Sequence, residues 1–278
     1  MEVKLGLIQM RMTGRREENL DRAVSGVKEA AASGADIVCL PELFDSLYFP
    51  QTEDSRVSPE AIPNELTESL SSMAKDNGVV LVGGSVFEKA RGQSYNTSMV
   101  FDERGRELGR YRKVHIPQDP SFYEQDYFSS GTGYKVFSTR FGKIAVLICF
   151  DQWFPEAARI CRLMGAQIIF YPTAIGTIKG VEQTEGSWHE AWETVQRGHA
   201  IANSVVVAPV NRVGREGEMS FWGGSFVSDQ FGKVLVRGDD IERVLVAKCD
   251  LELGDDIDHG WGFLRNRHPE TYKRISRE

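Results

Sequence analysis

The chain has 278 residues, of which 41% are hydrophobic and 26% charged, and its formal net charge is −7. This composition is typical of a globular chain that is long enough to bury a large core. The acidic balance disfavours nucleic acid and anionic membranes as main partners. No apolar stretch reaches the length of a membrane span, and the N-terminus opens into a predicted strand rather than a signal peptide.

The cysteines and histidines of the chain favour a reduced, metal-free protein. Cys39, Cys149, Cys161 and Cys249 are widely spaced and mostly lie in apolar segments. Widely spaced thiols of this kind are typical of reducing compartments, so we expect a cytoplasmic location. The five histidines show no metal-ligand spacing with cysteines or carboxylates. We predict no metal and no other cofactor.

The first part of the chain alternates between strand and helix patterns. In chain order, the periodicity predicts a strand over 3–10, a helix over 20–31, a short buried strand over 37–40, a helix over 63–75, and antiparallel strands over 79–82, 95–102 and 107–113. Residues 116–130 follow without a clear period, and 176–186 form a second irregular stretch before another helical pattern. Loops of that length in a compact domain tend to be functional.

Cys149 lies between a predicted strand and a predicted helix. Residues 143–148 are apolar and β-branched, as expected of a buried strand. Pro155 is a favoured first helical residue, and apolar side chains repeat with helical spacing from there to Gly165. The N-terminus of that helix would favour thiolate over thiol. We interpret Cys149 as a nucleophile, although most isolated cysteines are structural core residues.

Two pairs of segments repeat in the same order along the chain. Residues 34–42 match 165–173, and the Asp-x-x-Gly turn at 102–106 matches the one at 229–233. In both pairs the second copy follows the first by a similar number of residues, and there are only two copies. This favours a pseudo-twofold duplication over a solenoid. We expect two packed sheets with helices outside. No Pro/Ser-rich linker separates the halves, so a single domain over 1–278 is predicted, with a C-terminal arm from about 254.

A cysteine nucleophile needs a base for its proton and donors for the developing oxyanion. Glu42 follows a buried strand and Pro41, where partial burial would raise its pKa towards that of a general base. Judged by position alone, an ordinary loop glutamate is an equal alternative. Lys113 ends a predicted strand inside a basic segment, and a solvated basic cluster is the better interpretation of that segment taken alone.

Together these segments resemble the nitrilase, or carbon–nitrogen hydrolase, superfamily. Residues 41–44 resemble its glutamate motif, 112–117 its lysine motif and 149–156 its cysteine motif, in the family's order. The resemblance implies a four-layer αββα sandwich and a catalytic triad of Glu42, Lys113 and Cys149. It also implies that Glu124 is the family's second glutamate, which orients the lysine and the substrate.

Residues 151–159, 170–176 and 221–226 are similar to the family's amidases of carbamoyl amines. That similarity implies hydrolysis of N-carbamoylputrescine or a related carbamoyl amine, a small-molecule substrate, to the amine, CO2 and ammonia. Members that act on a cationic chain tend to carry an acidic residue where this chain has Ile178, followed by Lys179. Glu182 or Glu185 would then have to supply the missing charge.

The resemblance also implies roles within the pocket. Glu42 would take the thiol proton, and Lys113 with the backbone N–H of Phe150 would hold the oxyanion. The residues expected to bind substrate are Tyr48, Phe150, Trp153, Thr173 and Glu182. Core packing is an almost equal alternative for Tyr48 and Trp153.

Two alternatives remain open from the sequence. An amidase of the same fold could act on N-carbamoyl amino acids or ω-amides, whose carboxylate requires a nearby cation such as Lys179. A protein of another class would be a non-catalytic binding or scaffold protein.

Residues 265–269 resemble the family's C-terminal arm, which commonly crosses to a neighbouring subunit, so we expect a homo-oligomer, a dimer or higher.

Overall fold

The computed structural model describes residues 1–275, so the last three residues of the predicted C-terminal arm lie outside it. Its five α-helices are α1 (Arg16–Ala32), α2 (Glu65–Asn77), α3 (Pro155–Leu163), α4 (Trp188–Asn203) and α5 (Glu252–Trp261). The strands of the first half are β1 (Glu2–Gln9), β2 (Ile37–Cys39), β3 (Val80–Val82), β4 (Val86–Ala90), β5 (Gln93–Phe101), β6 (Glu107–Arg112), β7 (Gln118–Asp119) and β8 (Phe122–Tyr123). Those of the second half are β9 (Val136–Thr139), β10 (Gly142–Val146), β11 (Ile168–Thr173), β12 (Gly176–Ile178), β13 (Val206–Asn211), β14 (Val213–Glu216), β15 (Met219–Trp222), β16 (Phe226–Ser228), β17 (Val234–Arg237) and β18 (Arg243–Asp250).

Two large sheets share one topology. The first has the order β18-β1-β2-β3-β5-β4, with β6 also pairing with β5, and the second has the order β17-β16-β13-β11-β10-β9. The strands β1, β2 and β3 are parallel to one another, as are β10, β11 and β13. The next strand, β5 or β16, is antiparallel in both sheets. This equivalence is the pseudo-twofold duplication that the repeated segments predict.

The repeated Asp-x-x-Gly segments make the same turn in both halves. Asp102 Oδ1 accepts hydrogen bonds from the backbone N–H groups two and four residues ahead, at 3.0 and 2.8 Å. Asp229 Oδ1 accepts the corresponding pair, each at 2.9 Å. Side-chain acceptance of local backbone N–H groups is what favours aspartate at such turns. The turns join β5 to β6 and β16 to β17.

Apolar side chains from both sheets form the central core, and the helices pack outside. Leu5 and Leu7 of the first sheet belong to one buried cluster with Ile144 and Ile168 of the second. Burying an aliphatic side chain of this kind contributes about 1.5–3 kcal/mol. A separate cluster joins α1 and α2 to the outer face of the first sheet. Helix α4 packs against α3 and β13 of the second sheet.

Several elements differ from the sequence predictions. Helix α1 begins at Arg16 rather than 20, because its first turn is polar and its apolar pattern starts only at Leu20. Residues 116–130, which show no clear period, contain the short strands β7 and β8. Helix α2 begins at Glu65 rather than 63, because Asn64 caps it. The Asn64 side chain accepts from the Thr67 N–H at 3.1 Å, and the Thr67 hydroxyl accepts from the Asn64 N–H at 2.8 Å. Strand β4 was not predicted, because its charged residues interrupt the apolar pattern. No helix within residues 1–275 is long and apolar enough to cross a membrane.

Candidate active site

Three strand ends bring Glu42, Lys113 and Cys149 together between the two sheets. Glu42 lies on the turn after β2, Lys113 directly follows β6, and Cys149 lies beyond the end of β10. The side chains of Glu42 and Lys113 are completely buried, and Cys149 is 7% exposed. A thiol, a carboxylate and an ammonium group therefore share a small space that is nearly closed to water.

Lys113 bridges two buried carboxylates. Its Nζ donates to Glu42 Oε1 at 2.9 Å and to Glu124 Oε1 and Oε2 at 2.9 and 2.7 Å. Asn96 Nδ2 also donates to Glu42 Oε1, at 2.8 Å. Burial alone would lower the pKa of Lys113, but the charges of Glu124 and Glu42 outweigh it and raise that pKa above its usual range. The lysine therefore stays an ammonium ion and can stabilise developing negative charge.

Glu124 lies on the irregular segment that follows Lys113. Burial raises the pKa of Glu124, the Lys113 ammonium opposes that shift and the charge of Glu42 adds to it, so that the pKa is about 7. The Tyr48 hydroxyl donates to Glu124 Oε1 at 2.8 Å. The carboxyl group is thus held by a cation and a hydroxyl while its charge is disfavoured by burial.

Cys149 has a backbone conformation that side chains rarely adopt. Its φ is +44°, at the start of a short 3₁₀ turn over Cys149–Trp153. Such a conformation costs on the order of 1–3 kcal/mol and persists only where its surroundings enforce it. Cys149 therefore leaves strand β10 in a strained turn, and its thiol lies at the edge of the buried site, where it is 7% exposed.

The expectation that a helix N-terminus favours the thiolate is wrong for this structure. Helix α3 begins at Pro155, six residues beyond Cys149. Burial raises the pKa of the Cys149 thiol well above its usual range, and the charge of Glu42 raises it further. The thiol therefore needs a base. Glu42 Oε2 is buried and, within residues 1–275, makes no hydrogen bond, so it is free to accept that proton.

Asp151 connects the segment around Lys113 with the turn that carries Cys149. Its Oδ2 accepts from the Tyr111 hydroxyl at 2.7 Å and from the Ile148 N–H at 2.8 Å. Its Oδ1 accepts from the His115 N–H at 3.0 Å and lies 2.7 Å from His115 Nδ1. The sequence interpretation missed this contact. The aspartate two residues after the cysteine was a signal that could have found it.

A cavity of about 610 Å³ opens onto Cys149. Aromatic side chains form much of its wall, namely Phe122, Phe150, Trp153 and Trp188. Its charged lining residues, within the described part of the chain, are Asp119, Glu124 and Glu185, and no lysine or arginine lines it. The cavity suits an elongated substrate that is apolar along its length and uncharged or cationic at its far end.

The predicted substrate-binding residues divide into two groups. Phe150 and Trp153 line the cavity, whereas Tyr48 and Thr173 do not. Tyr48 is completely buried behind Glu124, and the Thr173 hydroxyl donates to the Tyr171 carbonyl at 2.8 Å. These two side chains support the site from behind.

The two candidate glutamates of the 176–186 segment lie in different places. Glu182 is exposed and does not line the cavity, whereas Glu185 does. The indole N–H of Trp188 donates to the Glu185 carboxylate and fixes its position. Hydrogen bonds from the Glu185 backbone N–H and from the Trp188 indole hold the pKa of Glu185 below its usual range. Asp119, the last residue of β7, is a second lining carboxylate that the sequence interpretation did not identify.

Comparison with known proteins agrees with this geometry. The sequence model of the family described as carbon-nitrogen hydrolase matches residues 4–257. The chain belongs to the carbon–nitrogen hydrolase family. A solved carbon–nitrogen hydrolase from Helicobacter pylori G27 is 36% identical, with a TM-score of 0.92, covering 99% of this chain and 98% of that one. The αββα sandwich predicted from the sequence is confirmed.

Two relatives of this carbon–nitrogen hydrolase represent different substrates. N-carbamoylputrescine amidase from Arabidopsis thaliana is 40% identical over 285 residues, covering 98% of this chain and 94% of the relative. Citrullinase from Francisella tularensis is 35% identical over 284 residues, covering 99% of each chain. The chain is therefore an enzyme that hydrolyses carbon–nitrogen bonds.

Proposed function

We propose that this carbon–nitrogen hydrolase converts N-carbamoylputrescine, or a closely related carbamoyl amine, to the amine, CO2 and ammonia. The observation that carries the proposal is the charge of the cavity, which carboxylates line and no lysine or arginine lines among the described residues. A cationic far end would meet Asp119 and Glu185 there. The 40% identity to an N-carbamoylputrescine amidase supports the same substrate.

In the proposed mechanism, Glu42 removes the proton of the Cys149 thiol, and the sulfur attacks the carbamoyl carbon. Lys113 and the backbone N–H of Phe150 hold the resulting oxyanion. Glu42 returns its proton to the departing nitrogen, ammonia leaves, and a thiocarbamate remains on the sulfur. Glu42 then activates water, which releases an N-substituted carbamic acid that decomposes to the amine and CO2.

Glu185 is the proposed partner of the substrate's far ammonium group. Ile178 stands where an acidic residue is expected for a polyamine substrate, and it lines the cavity without a charge. A carboxylate at the far end of the cavity would attract that ammonium group with the modest strength of an exposed ion pair, since Asp119 and Glu185 are both exposed. Glu185 and Asp119 lie on the cavity wall, whereas Glu182 does not, so we assign the charge to the former pair.

Substrates that carry a carboxylate, such as N-carbamoyl amino acids and ω-amides, are the second candidate class. The citrullinase relative favours them. These substrates would require a cation such as Lys179, but Lys179 does not line the cavity. Its side chain is 66% exposed, and its Nζ lies 3.4 Å from Glu218 Oε2. An assay of ammonia release from N-carbamoylputrescine, with putrescine identified as the second product, tests the proposal. Release of ammonia only from carboxylate-bearing substrates would refute it.

We also propose that the protein works as a homo-oligomer. Large apolar side chains are exposed on three outer helices, namely Ile160 and Leu163 on α3, Ile201 on α4 and Trp261 on α5. Helices α3 and α4 pack together, and Arg162 of α3 lies 3.7 Å from Asp255 of α5. Trp261 is 63% exposed and packs against Phe231, with 5.7 Å between ring centroids. An exposed apolar surface of this kind is typical of an interface, and a second copy is its proposed occupant. Sedimentation of Trp261→Glu should show more monomer than the wild type, and an exclusively monomeric wild type would refute the proposal.

A cytoplasmic role in polyamine biosynthesis completes the proposal. The four cysteines are all free and buried, as expected in a reducing compartment. The proposed product, putrescine, is a polyamine. Deleting the gene should raise cellular N-carbamoylputrescine and lower putrescine, and the protein should fractionate with the cytoplasm.

A further inference from the structure

The buried guanidinium group of Arg212 contacts the segment that carries Glu42. Arg212 directly follows β13, and its side chain is completely enclosed. Its Nη2 donates to the backbone carbonyls of Glu42 and Leu43, at 2.6 and 3.0 Å. Its Nη1 donates to the Ser46 carbonyl at 3.3 Å. A single side chain from the second half therefore holds three carbonyl groups of the turn after β2.

That turn needs such support because its backbone is strained. Leu43 has a φ of +45°, in the region that favours glycine. The Leu43 N–H donates to Ser85 Oγ at 3.0 Å, and Arg212 holds the carbonyl on the opposite side of the residue. A strained residue persists where surrounding contacts enforce it. Arg212 thus fixes the direction in which Glu42 leaves the strand.

The same guanidinium group also acts on Glu124 through a second set of contacts. Arg212 Nη1 donates to both carboxylate oxygens of Glu216, at 2.8 and 3.0 Å. Glu216 Oε2 accepts from the Tyr48 N–H at 2.6 Å. The Tyr48 hydroxyl in turn donates to Glu124 Oε1. One buried ion pair therefore supports both carboxylates that hold the Lys113 ammonium.

We propose that Arg212 and Glu216 are a positioning pair that sets the placement of Glu42 and Glu124 around Lys113. The proposal rests on the catalytic roles assigned above. Neither residue lines the cavity, so the pair acts through the carboxylates rather than on the substrate. A buried ion pair is a weak source of stability compared with apolar residues of the same volume. The rigid fork of an arginine is, however, well suited to holding several acceptors in a fixed geometry, which a lysine cannot do.

The variant Arg212→Lys tests this role, because it keeps the positive charge and loses the fork. We expect kcat to fall at least tenfold while KM changes less than twofold, since the substrate contacts are untouched. The matched control is Val27→Ala, which opens a cavity in the separate cluster beneath α1. It should lower the melting temperature while kcat stays close to that of the wild type.

A lowered melting temperature with unchanged kcat in Arg212→Lys would overturn the proposal, as would an equal fall in kcat in Val27→Ala. If Arg212→Lys does not fold, Glu216→Gln decides the question. It retains an acceptor for the Tyr48 N–H but loses the ion pair, and a wild-type kcat would then overturn the proposal.

Alkylation by iodoacetamide, followed at the Cys149 peptide by mass spectrometry, separates this proposal from the proposed function. It needs no knowledge of the substrate. Slower alkylation in Arg212→Lys than in the wild type supports the positioning role even if N-carbamoylputrescine is not hydrolysed. Equal alkylation rates in the two proteins would contradict it.

Discussion

The Nζ of Lys113 lies 2.9 Å from Glu42 Oε1, and both side chains are completely buried. Glu124 Oε2 lies 2.7 Å from the same nitrogen. An ion pair enclosed in this way is costly to form and costly to break, because removing one partner leaves an unpaired buried charge. The arrangement is therefore expected to be a catalytic device rather than a stabilising one.

Replacing Lys113 by Met should remove catalysis while the overall fold persists. The ammonium group is proposed to stabilise charge that develops in the transition state, and losing one such donor costs about a hundredfold or more in kcat. Glu124, whose pKa burial already raises, would take up a proton in place of the lost cation. Steady-state kinetics and circular dichroism check this outcome, with the exposed Lys143→Met as control. A variant that raises only KM would show that Lys113 merely binds the ground-state substrate.

Cys149 should be the one cysteine that turnover requires. It is the cysteine that lies at the cavity, whereas Cys161 is enclosed in α3. Cys149→Ala should abolish ammonia release with little change in the melting temperature. Cys161→Ala should keep nearly full kcat, because it removes only a small buried sulfur. Measurable turnover by purified Cys149→Ala would exclude the proposed mechanism.

Glu124 should make stability depend on pH near neutrality. Burial raises its pKa to about 7 from an ordinary value of 4.5, so the folded protein binds more protons than the unfolded chain between those values. This contribution to stability is complete below about pH 4.5 and is lost as pH rises through about 7. The free energy of unfolding of the wild type, relative to Glu124→Gln, should therefore fall between pH 5 and pH 8. A difference that stays constant or grows over that range would contradict the assignment.

Glu185→Gln should weaken binding of a cationic substrate selectively. The carboxylate lies on the cavity wall and is oriented by Trp188, but it is exposed to solvent. We expect KM for N-carbamoylputrescine to rise roughly threefold to tenfold, as for an exposed ion pair. KM for an uncharged N-carbamoyl alkylamine should stay unchanged.

Glu182→Gln is the matched control for that experiment, because Glu182 lies on the same segment and does not line the cavity. It should behave as the wild type with both substrates. If Glu182→Gln raises KM for N-carbamoylputrescine more than Glu185→Gln does, the assignment of the distal charge is wrong.

The sequence predicts much of the fold because its signals are local. Apolar periodicity located the main helices and strands, and the repeated Asp-x-x-Gly segments located equivalent turns in both sheets. Strand β4 was missed because Glu88 and Lys89 interrupt its apolar pattern. Glu88 is buried nonetheless, where Arg112 donates to both of its carboxylate oxygens at 2.8 Å. That compensation comes from β6, which pairs with β5 rather than with β4, and it cannot be seen in a local window of the sequence.

The candidate site also contains some residues that local sequence signals identify and others that depend on distant parts of the chain. Glu42, Lys113, Glu124 and Cys149 follow from motifs and from the ends of predicted strands. The cavity wall does not, because it depends on how irregular segments fold over the sheets. Asp119 reaches it from the short strand β7 and Glu185 from the segment before α4, whereas Glu182, three residues from Glu185, does not line it.

The pKa of Cys149 could not be read from the sequence either. A nearby helix N-terminus suggested a thiolate, but burial and the charge of Glu42 favour the neutral thiol. The effect of the Glu42 charge on the pKa of Cys149 depends on the distance between two residues that are more than a hundred positions apart in the chain.

The central claim is that a carboxylate-lined cavity selects a cationic carbamoyl amine. The most direct test compares kcat/KM for N-carbamoylputrescine with kcat/KM for N-carbamoyl-β-alanine and citrulline, with Cys149→Ala as the blank. The charge of the cavity predicts that N-carbamoylputrescine is preferred by at least a hundredfold over both carboxylate-bearing compounds, a difference of about 2.8 kcal/mol. Equal or higher kcat/KM for either carboxylate-bearing compound would contradict it.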